Sequence, residues 1–203
     1  MRPRATISRI VSENPKRSLW LLAFIYGFSS LLNAFQTGSM GAVFSTPLIL
    51  VAAAILAPFW GYACFAFFSW VVLWIGKIFK GHGTFAGLRA VYAWSCVPMI
   101  LNIPLWLLMV MMFGQALFLN IPPQYVTEAQ APILFLILIS KVVLAVWSLV
   151  IYLNGLAQVQ QYSMLKAIFN TLIAGAIALF LLGIVWSFGF YLLDVSLQNS
   201  QTA

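Results

Sequence analysis

The sequence predicts an all-α integral membrane bundle of five transmembrane helices, preceded by a short N-terminal interfacial helix. Two observations come from composition: 64% of the 203 residues are apolar, and only 6% are charged. A soluble domain has about 25% charged residues and about 45–50% apolar ones. The third observation is that the apolar residues fall into five runs, each near or above the roughly 20 residues that a helix needs to cross a bilayer. The excess apolar surface must therefore face lipid.

The five runs set the predicted domain organisation. The predicted spans are residues 18–35, 47–75, 90–114, 132–157 and 167–193. A cytoplasmic amphipathic segment at 1–17 precedes the membrane domain at 18–193, and a short tail at 194–203 follows it. Pro58, Pro98 and Pro104 lie inside spans, where each removes a helical hydrogen bond and tends to open space between helices.

Basic residues predict the orientation. Of the ten Lys and Arg residues, all but Lys141 fall in the N-terminal segment, the second-to-third connection or the fourth-to-fifth connection. The first and third connections have none, and Glu128 and Asp194 fall on their side. Because cytoplasmic loops carry the excess of Lys and Arg, we expect a cytoplasmic N-terminus and a C-terminus on the far side of the membrane.

The N-terminal segment is basic and periodic. Within residues 3–13, Ile7, Ile10 and Val11 share one helical face with arginines nearby. This pattern predicts a short helix on the inner membrane surface, attracted to anionic lipid; a disordered basic tail is the alternative. In a membrane protein, the net charge of +7 indicates topology and headgroup contacts rather than nucleic-acid binding.

Small residues on two spans predict close helix contacts. In lipid, helices associate through small side chains that let their backbones approach. The second span offers Ala53, Ala57 and Gly61 at four-residue spacing, and the fifth span offers Gly175. We expect these residues to face other helices rather than lipid.

The fourth span carries the least lipid-like face, a stripe through Lys141, Ala145, Ser148, Tyr152 and Gly155. If Lys141 points inward, we expect Ala145 and Ser148 to share its buried face. Lys141 lies roughly 14 Å into the span, where a lysine costs about 2.5–3.5 kcal/mol on insertion scales. Three interpretations stay open: the side chain snorkels to the outer headgroups, bonds inside the bundle, or attracts an anionic lipid or solute. If it points inward, we expect Asn102 of the third span, or a carbonyl freed by a proline, to be its partner.

Recognisable catalytic, cofactor and metal motifs are absent from the sequence. The one histidine, His82, lies between glycines in a turn, and the three acids lie outside the spans. Paired carboxylates for acid–base or metal chemistry are therefore not expected inside the bilayer. Cys64 and Cys96 fit no zinc or redox spacing and are expected to pack as small apolar residues. We expect neither an enzyme nor a bound cofactor.

Two segments resemble a known membrane family. The run GKIFKGHGTFAGLRAVYAWSCVPMIL is similar to the central signature of the Yip family, the Ypt/Rab-interacting membrane proteins, in its bacterial branch. The residues that carry this resemblance are Gly81, Gly83, Thr84, Leu88, Tyr92, Ala93 and Pro98. The fourth-to-fifth hairpin resembles the family through Trp147, Gly155, Ser163 and Ala167, and the N-terminal RPRATISRIVSENP resembles the amphipathic lead of bacterial members.

The resemblance implies five spans, a cytoplasmic N-terminus and a place in the bacterial inner membrane. Eukaryotic members act in ER–Golgi vesicle traffic, bind Rab GTPases and shape membranes. About 18 residues precede the first predicted span, so the long N-terminal domain and the DLYGP-type motif of those members have no counterpart. Residues for Rab binding are therefore not carried over.

Two function hypotheses follow. The first is a non-enzymatic protein that organises lipids or protein partners, with membrane lipids, a membrane-protein partner or a second copy as the partners. The alternative is a small-solute or lipid transporter or channel with a polar path near Lys141. The lack of acids inside the spans and the short connections favour the first, since proton-coupled pumps usually need an intramembrane Asp, Glu or His. The prolines and the polar stripe favour the second.

Overall fold

The computed structural model describes residues 14, 16, 18–119, 127, 128 and 130–201, and within the last helix it describes side chains for residues 164–181, 183 and 184. The interfacial helix predicted at residues 3–13 lies outside the described residues. The described part contains helices α1 (Leu19–Thr37), α2 (Thr46–Ile78), α3 (Phe85–Ser95), α4 (Asn102–Phe113), α5 (Ala131–Gln160) and α6 (Met164–Gln201). Short 3₁₀ turns occur at Met40–Ala42, Val97–Leu101 and Gly114–Phe118.

Five helical stretches are long and apolar enough to cross a membrane, which confirms the all-α membrane bundle. They are Leu19–Thr37, Thr46–Ile78, Phe85–Phe118, Ala131–Gln160 and Met164–Leu181. Apolar side chains cover much of the outside of this bundle, as lipid contact requires. Three clusters of buried residues along the bundle form its core.

The third span is divided rather than continuous. It begins at Phe85, earlier than predicted, because the Oγ1 of Thr84 caps the helix by accepting a hydrogen bond from the Gly87 N–H at 3.2 Å. Helix α3 then ends before the 3₁₀ turn that contains Pro98. Proline has no N–H to donate and its ring crowds the preceding turn, so the chain changes helix type here and resumes as α4. Pro58, by contrast, remains inside α2.

Helices α2 and α5 end in the same way at the same end of the bundle. After α2, the Gly81 N–H donates to the Gly76 carbonyl at 2.8 Å; after α5, the Tyr162 N–H donates to the Ala157 carbonyl at 3.2 Å. In each case the preceding residue adopts a left-handed conformation, with φ of 59° at Lys80 and 57° at Gln161. Both ends have the six-residue hydrogen bond that characterises a Schellman motif, and after α2 the Lys80 N–H also donates to the Lys77 carbonyl, the second bond of that motif.

This end also carries Lys77, Lys80 and Lys166, and it is called the basic end below. The two Schellman motifs fix the direction in which the chain leaves α2 and α5. They therefore bring the α2–α3 connection against the last turn of α5, where the His82 N–H donates to the Gln160 carbonyl at 3.1 Å.

Candidate functional site

Lys141 faces the third span, but its neighbour there is an aromatic ring. Its Nζ lies 3.7 Å from the centre of the Trp106 ring, in a cation–π contact. Trp106 is fully buried, whereas Lys141 is half-buried. Asn102, one turn before Trp106, is buried with its Oδ1 unpartnered. Lys141 therefore faces the third span as expected, but its neighbour there is Trp106, and no hydrogen bond joins it to Asn102.

The polar stripe of the fourth span divides after Lys141. Ser148 and Tyr152 are buried, but Ala145 is exposed, contrary to the expectation that it shares their buried face. The reason is that most of this stretch of α5 faces outward: Val142, Val143, Val146 and Trp147 are all more than half exposed. The stripe therefore does not form one continuous buried face. Lys141 is separated from Ser148 and Tyr152 by exposed residues of α5.

Ser148 and Tyr152 line an open crevice of about 260 Å³. We call it the tyrosine crevice, and its wall is made by the following residues: Tyr26, Phe68, Val72, Tyr92, Ser95, Cys96, Met99, Ser148, Leu149, Tyr152, Thr171, Ala174 and Gly175. The exposed surface of this wall is almost wholly apolar. The Ser148 hydroxyl is buried in it without a hydrogen-bond partner.

Tyr92 stands at the centre of the aromatic wall. Its ring stacks on Phe68 at 5.5 Å between centres and meets Tyr152 edge-on at 5.6 Å. Its hydroxyl donates to the Tyr26 hydroxyl at 3.4 Å. These contacts join α1, α2, α3 and α5 through one residue. These contacts stabilise the wall, since such ring pairs add stability beyond their buried area.

Three of the four predicted packing residues lie in the contact between α1 and α2. Ala53 and Ala57 are fully buried. A Cβ added at Gly61 would overlap the Ala23 carbonyl, and one added at Gly27 would overlap the Ala57 carbonyl. Glycine is needed at Gly27 and Gly61 because each backbone lies directly against that of the other helix.

Gly175 does not make such a contact, which corrects the prediction made for it. A Cβ added there would meet nothing within 4 Å. The reason is the register of α6: its fully buried positions are Ala167, Asn170, Ala174 and Ala178, and Gly175 follows one residue later. It therefore turns toward the tyrosine crevice instead of toward a neighbouring helix.

Sequence reasoning missed Gln160, the last residue of α5. Gln160 is fully buried, and its Oε1 accepts a hydrogen bond from the Gly83 N–H at 3.0 Å. A Cβ on Gly76 or Gly81 would overlap its side-chain amide. The glycines around His82, which the sequence marks only as a turn, thus leave the space in which Gln160 lies. A glutamine at a helix end close to a basic turn gives no local signal of this contact.

Asn170 makes a second polar contact at the basic end. It is fully buried, and its Nδ2 donates to the Val72 carbonyl at 3.2 Å and to the Tyr162 hydroxyl at 2.9 Å. Burial raises the pKa of Tyr162 to about 12, so this hydroxyl stays neutral at physiological pH. Gln160, at the end of α5, therefore binds the turn that follows α2, and Asn170, near the start of α6, binds α2 itself.

Within the described part of the chain, no three His, Cys, Asp or Glu residues come close enough to hold a metal ion. His82 is exposed on its turn. Cys64 is half-buried and Cys96 is buried, and both are free thiols. The polar and charged groups that the candidate site presents are tyrosine and serine hydroxyls and the ammonium of Lys141.

The Yip1 domain family matches residues 1–186. No curated protein and no solved structure matches the chain. The residues that carry the resemblance have identifiable structural roles: Gly81 and Gly83 accommodate Gln160, Thr84 caps α3, and Tyr92 holds the aromatic wall. With more than half of its length matched, the chain belongs to the Yip family of integral membrane proteins.

Proposed function

We propose that this protein is a non-enzymatic organiser of membrane lipids, and that the tyrosine crevice is where it holds a lipid chain. The crevice carries the proposal. Its wall is apolar, and it opens beside Leu149, which is 47% exposed on the lipid-facing surface of α5. A hydrocarbon chain can enter such a crevice from the bilayer without passing through water.

The size of the crevice favours part of a lipid over a whole solute. Ligand pockets usually have volumes of about 300–1,000 Å³ and bury most of the ligand. The tyrosine crevice is smaller, at about 260 Å³, and is open. A segment of an acyl chain fits these limits.

The surroundings of Lys141 give no support to the alternative of a transport path. Its ammonium faces the ring of Trp106, which belongs to an apolar cluster with Met109 and Ile137. We further propose the cytoplasmic N-terminus and the inner-membrane location that the charges and the family resemblance imply. The native mass spectrometry described below measures the number of subunits together with bound lipid. It therefore also tests whether a second copy or another membrane protein joins the bundle.

Two glycines of α6 provide the test. At both Gly175 and Gly183, an added Cβ meets nothing within 4 Å, but only Gly175 lines the crevice. Gly175→Leu therefore fills the crevice without a backbone clash, and Gly183→Leu is the matched control on the same helix. Native mass spectrometry of gently extracted protein reports bound lipids and the number of subunits.

We expect Gly175→Leu to lose a lipid that the parent protein and Gly183→Leu retain, with all three proteins equally stable to heat. Equal lipid retention by the three proteins would refute crevice binding. A solute flux into proteoliposomes that Lys141→Met abolishes would instead support the transport alternative.

A further inference from the structure

Arg89 is a buried cation with incomplete hydrogen bonding. It lies on α3 near the basic end, with 8% of its surface exposed. Its Nη1 donates to the Tyr62 hydroxyl at 2.7 Å. Its Cζ lies 5.2 Å from the centre of the Tyr62 ring and 5.4 Å from that of Phe85. The Nε is buried without a partner, so the guanidinium has donors to spare.

No carboxylate in the described part of the chain pairs with Arg89. The chain has three acids, and of these only Glu128 has a described side chain; it is exposed in the connection before α5. A buried charge is costly unless it is paired and hydrogen-bonded. The aromatic rings offset part of this cost by cation–π attraction, but they do not use the Nε donor. Among the described residues, the site therefore holds cations but no carboxylate.

The start of α1 packs on the same tyrosine that binds the guanidinium. Trp20, in the first turn of α1, stacks on Tyr62 with ring centres 4.9 Å apart and planes 14° apart. Ser18, at the N-cap of α1, makes no side-chain capping bond. Lys16, just before it, is exposed and adds a second cation. An uncapped helix start presents N–H groups and a positive dipole end, which favour an anion.

We propose that Arg89, Tyr62 and the start of α1 form a binding site for the phosphate of an anionic lipid headgroup. The phosphate oxygens accept hydrogen bonds from the free donors of Arg89, while Lys16 adds electrostatic attraction. Trp20, exposed in the first turn of α1, is suited to the headgroup level of a bilayer, where amphipathic rings concentrate. Two cations, with no carboxylate among the described residues around them, favour a headgroup with net negative charge over a zwitterionic one.

This proposal adds a headgroup class to the proposed function. It rests on that function in one respect, which is that the protein must bind lipid. The residues differ from those of the tyrosine crevice, so the two can fail separately. Gly175→Leu is expected to reduce total lipid retention without changing headgroup preference, whereas variants of Arg89 are expected to change the preference.

The test is native mass spectrometry in an equimolar mixture of phosphatidylglycerol and phosphatidylethanolamine. We expect Arg89→Gln to reduce the preference for phosphatidylglycerol about tenfold, the effect of losing a charge-assisted hydrogen bond. Lys166→Gln is the matched control, because it removes one exposed positive charge at the same end. It should leave the preference within about twofold, the scale of a single screened surface charge.

Two further variants keep the test decisive if Arg89→Gln does not fold. Arg89→Lys keeps the charge but loses the guanidinium fork, and Tyr62→Phe keeps the stacked ring but loses the hydroxyl. Both should fold and weaken the preference. An unchanged preference in these variants, or an equal loss in Lys166→Gln, would show that Arg89 only packs against the rings. Stabilisation by millimolar inorganic phosphate, with no headgroup preference, would overturn the lipid assignment in favour of free phosphate.

Discussion

The Nζ of Lys141 lies 3.7 Å from the centre of the Trp106 ring. This contact joins the fourth span to the third. The predicted spans contain no Asp or Glu that could form an ion pair with the lysine. A lysine in the apolar part of a bilayer needs some partner, and the face of an indole ring is the most favourable aromatic partner for a cation. The indole Nε1 of the fully buried Trp106 has no hydrogen-bond partner. The ring of Trp106 therefore contacts a charged group through its face, which meets the ammonium of Lys141.

We predict that Lys141 and Trp106 are energetically coupled. Lys141→Met removes the charge, and Trp106→Phe keeps a ring but weakens the cation–π attraction. In a double-mutant cycle measured by unfolding in detergent, the coupling should be about 0.5–2 kcal/mol. Lys141→Arg, which keeps a cation over the ring, should remain close to the parent in stability. A coupling of zero would mean that the lysine snorkels and that the contact contributes nothing.

The contact between α1 and α2 predicts a large effect at Gly61. Its backbone lies against the Ala23 carbonyl, so Gly61→Leu should destabilise the bundle by more than about 3 kcal/mol, because backbone cannot move aside as a side chain can. The control is Gly183→Leu, where an added Cβ meets nothing within 4 Å. It should be neutral or slightly stabilising through helix propensity. Equal melting temperatures for the two variants would rule out a close contact at Gly61.

Local features of the fold could be predicted from the sequence. The five spans follow from apolar runs, which depend only on residues close in the chain. The cap by Thr84 and the break at Pro98 are likewise local chemistry. Spacing also identified the small residues of α2, because a strip of Ala53, Ala57 and Gly61 leaves one face of a helix suited to close approach.

Contacts between distant segments could not be predicted in the same way. Spacing defines a face of a helix but not whether another helix covers that face. For this reason the sequence predicts helix contacts for Ala145 and Gly175 that the structure does not show. Gln160 and Arg89 depend on residues 77 and 27 positions away, respectively. Their hydrogen bonds arise only once the bundle has formed.

The orientation of the bundle is open to direct labelling. In a Cys64→Ala/Cys96→Ala background, we expect Ser200→Cys to react with a membrane-impermeant maleimide on intact cells. Ser163→Cys, at the basic end, should react only after permeabilisation. The reason is the bias of Lys and Arg toward cytoplasmic connections, and neither substitution changes that bias. The reverse pattern of labelling would place the basic end outside and overturn the proposed topology.

The last prediction concerns the space shared by Gly76 and Gln160. A Cβ at Gly76 would overlap the side-chain amide of Gln160, and its nearest neighbours are all atoms of that amide group. Gln160 cannot easily yield, because it is fully buried and its Oε1 accepts the Gly83 N–H. Gly76→Ala should therefore destabilise the parent protein by about 1–3 kcal/mol, the usual cost of overpacking.

In a Gln160→Ala background the sign should reverse. The amide is then gone, and alanine in a helix interior is more favourable than glycine by about 0.8–1.0 kcal/mol. Gln160→Ala alone should itself destabilise by about 1–3 kcal/mol, since it leaves a donor at Gly83 without its partner. Gly183→Ala measures the helix-propensity effect by itself and should stabilise both backgrounds equally. If Gly76→Ala stabilises both backgrounds as well, Gln160 moves aside freely and does not hold the α2–α3 connection against α5.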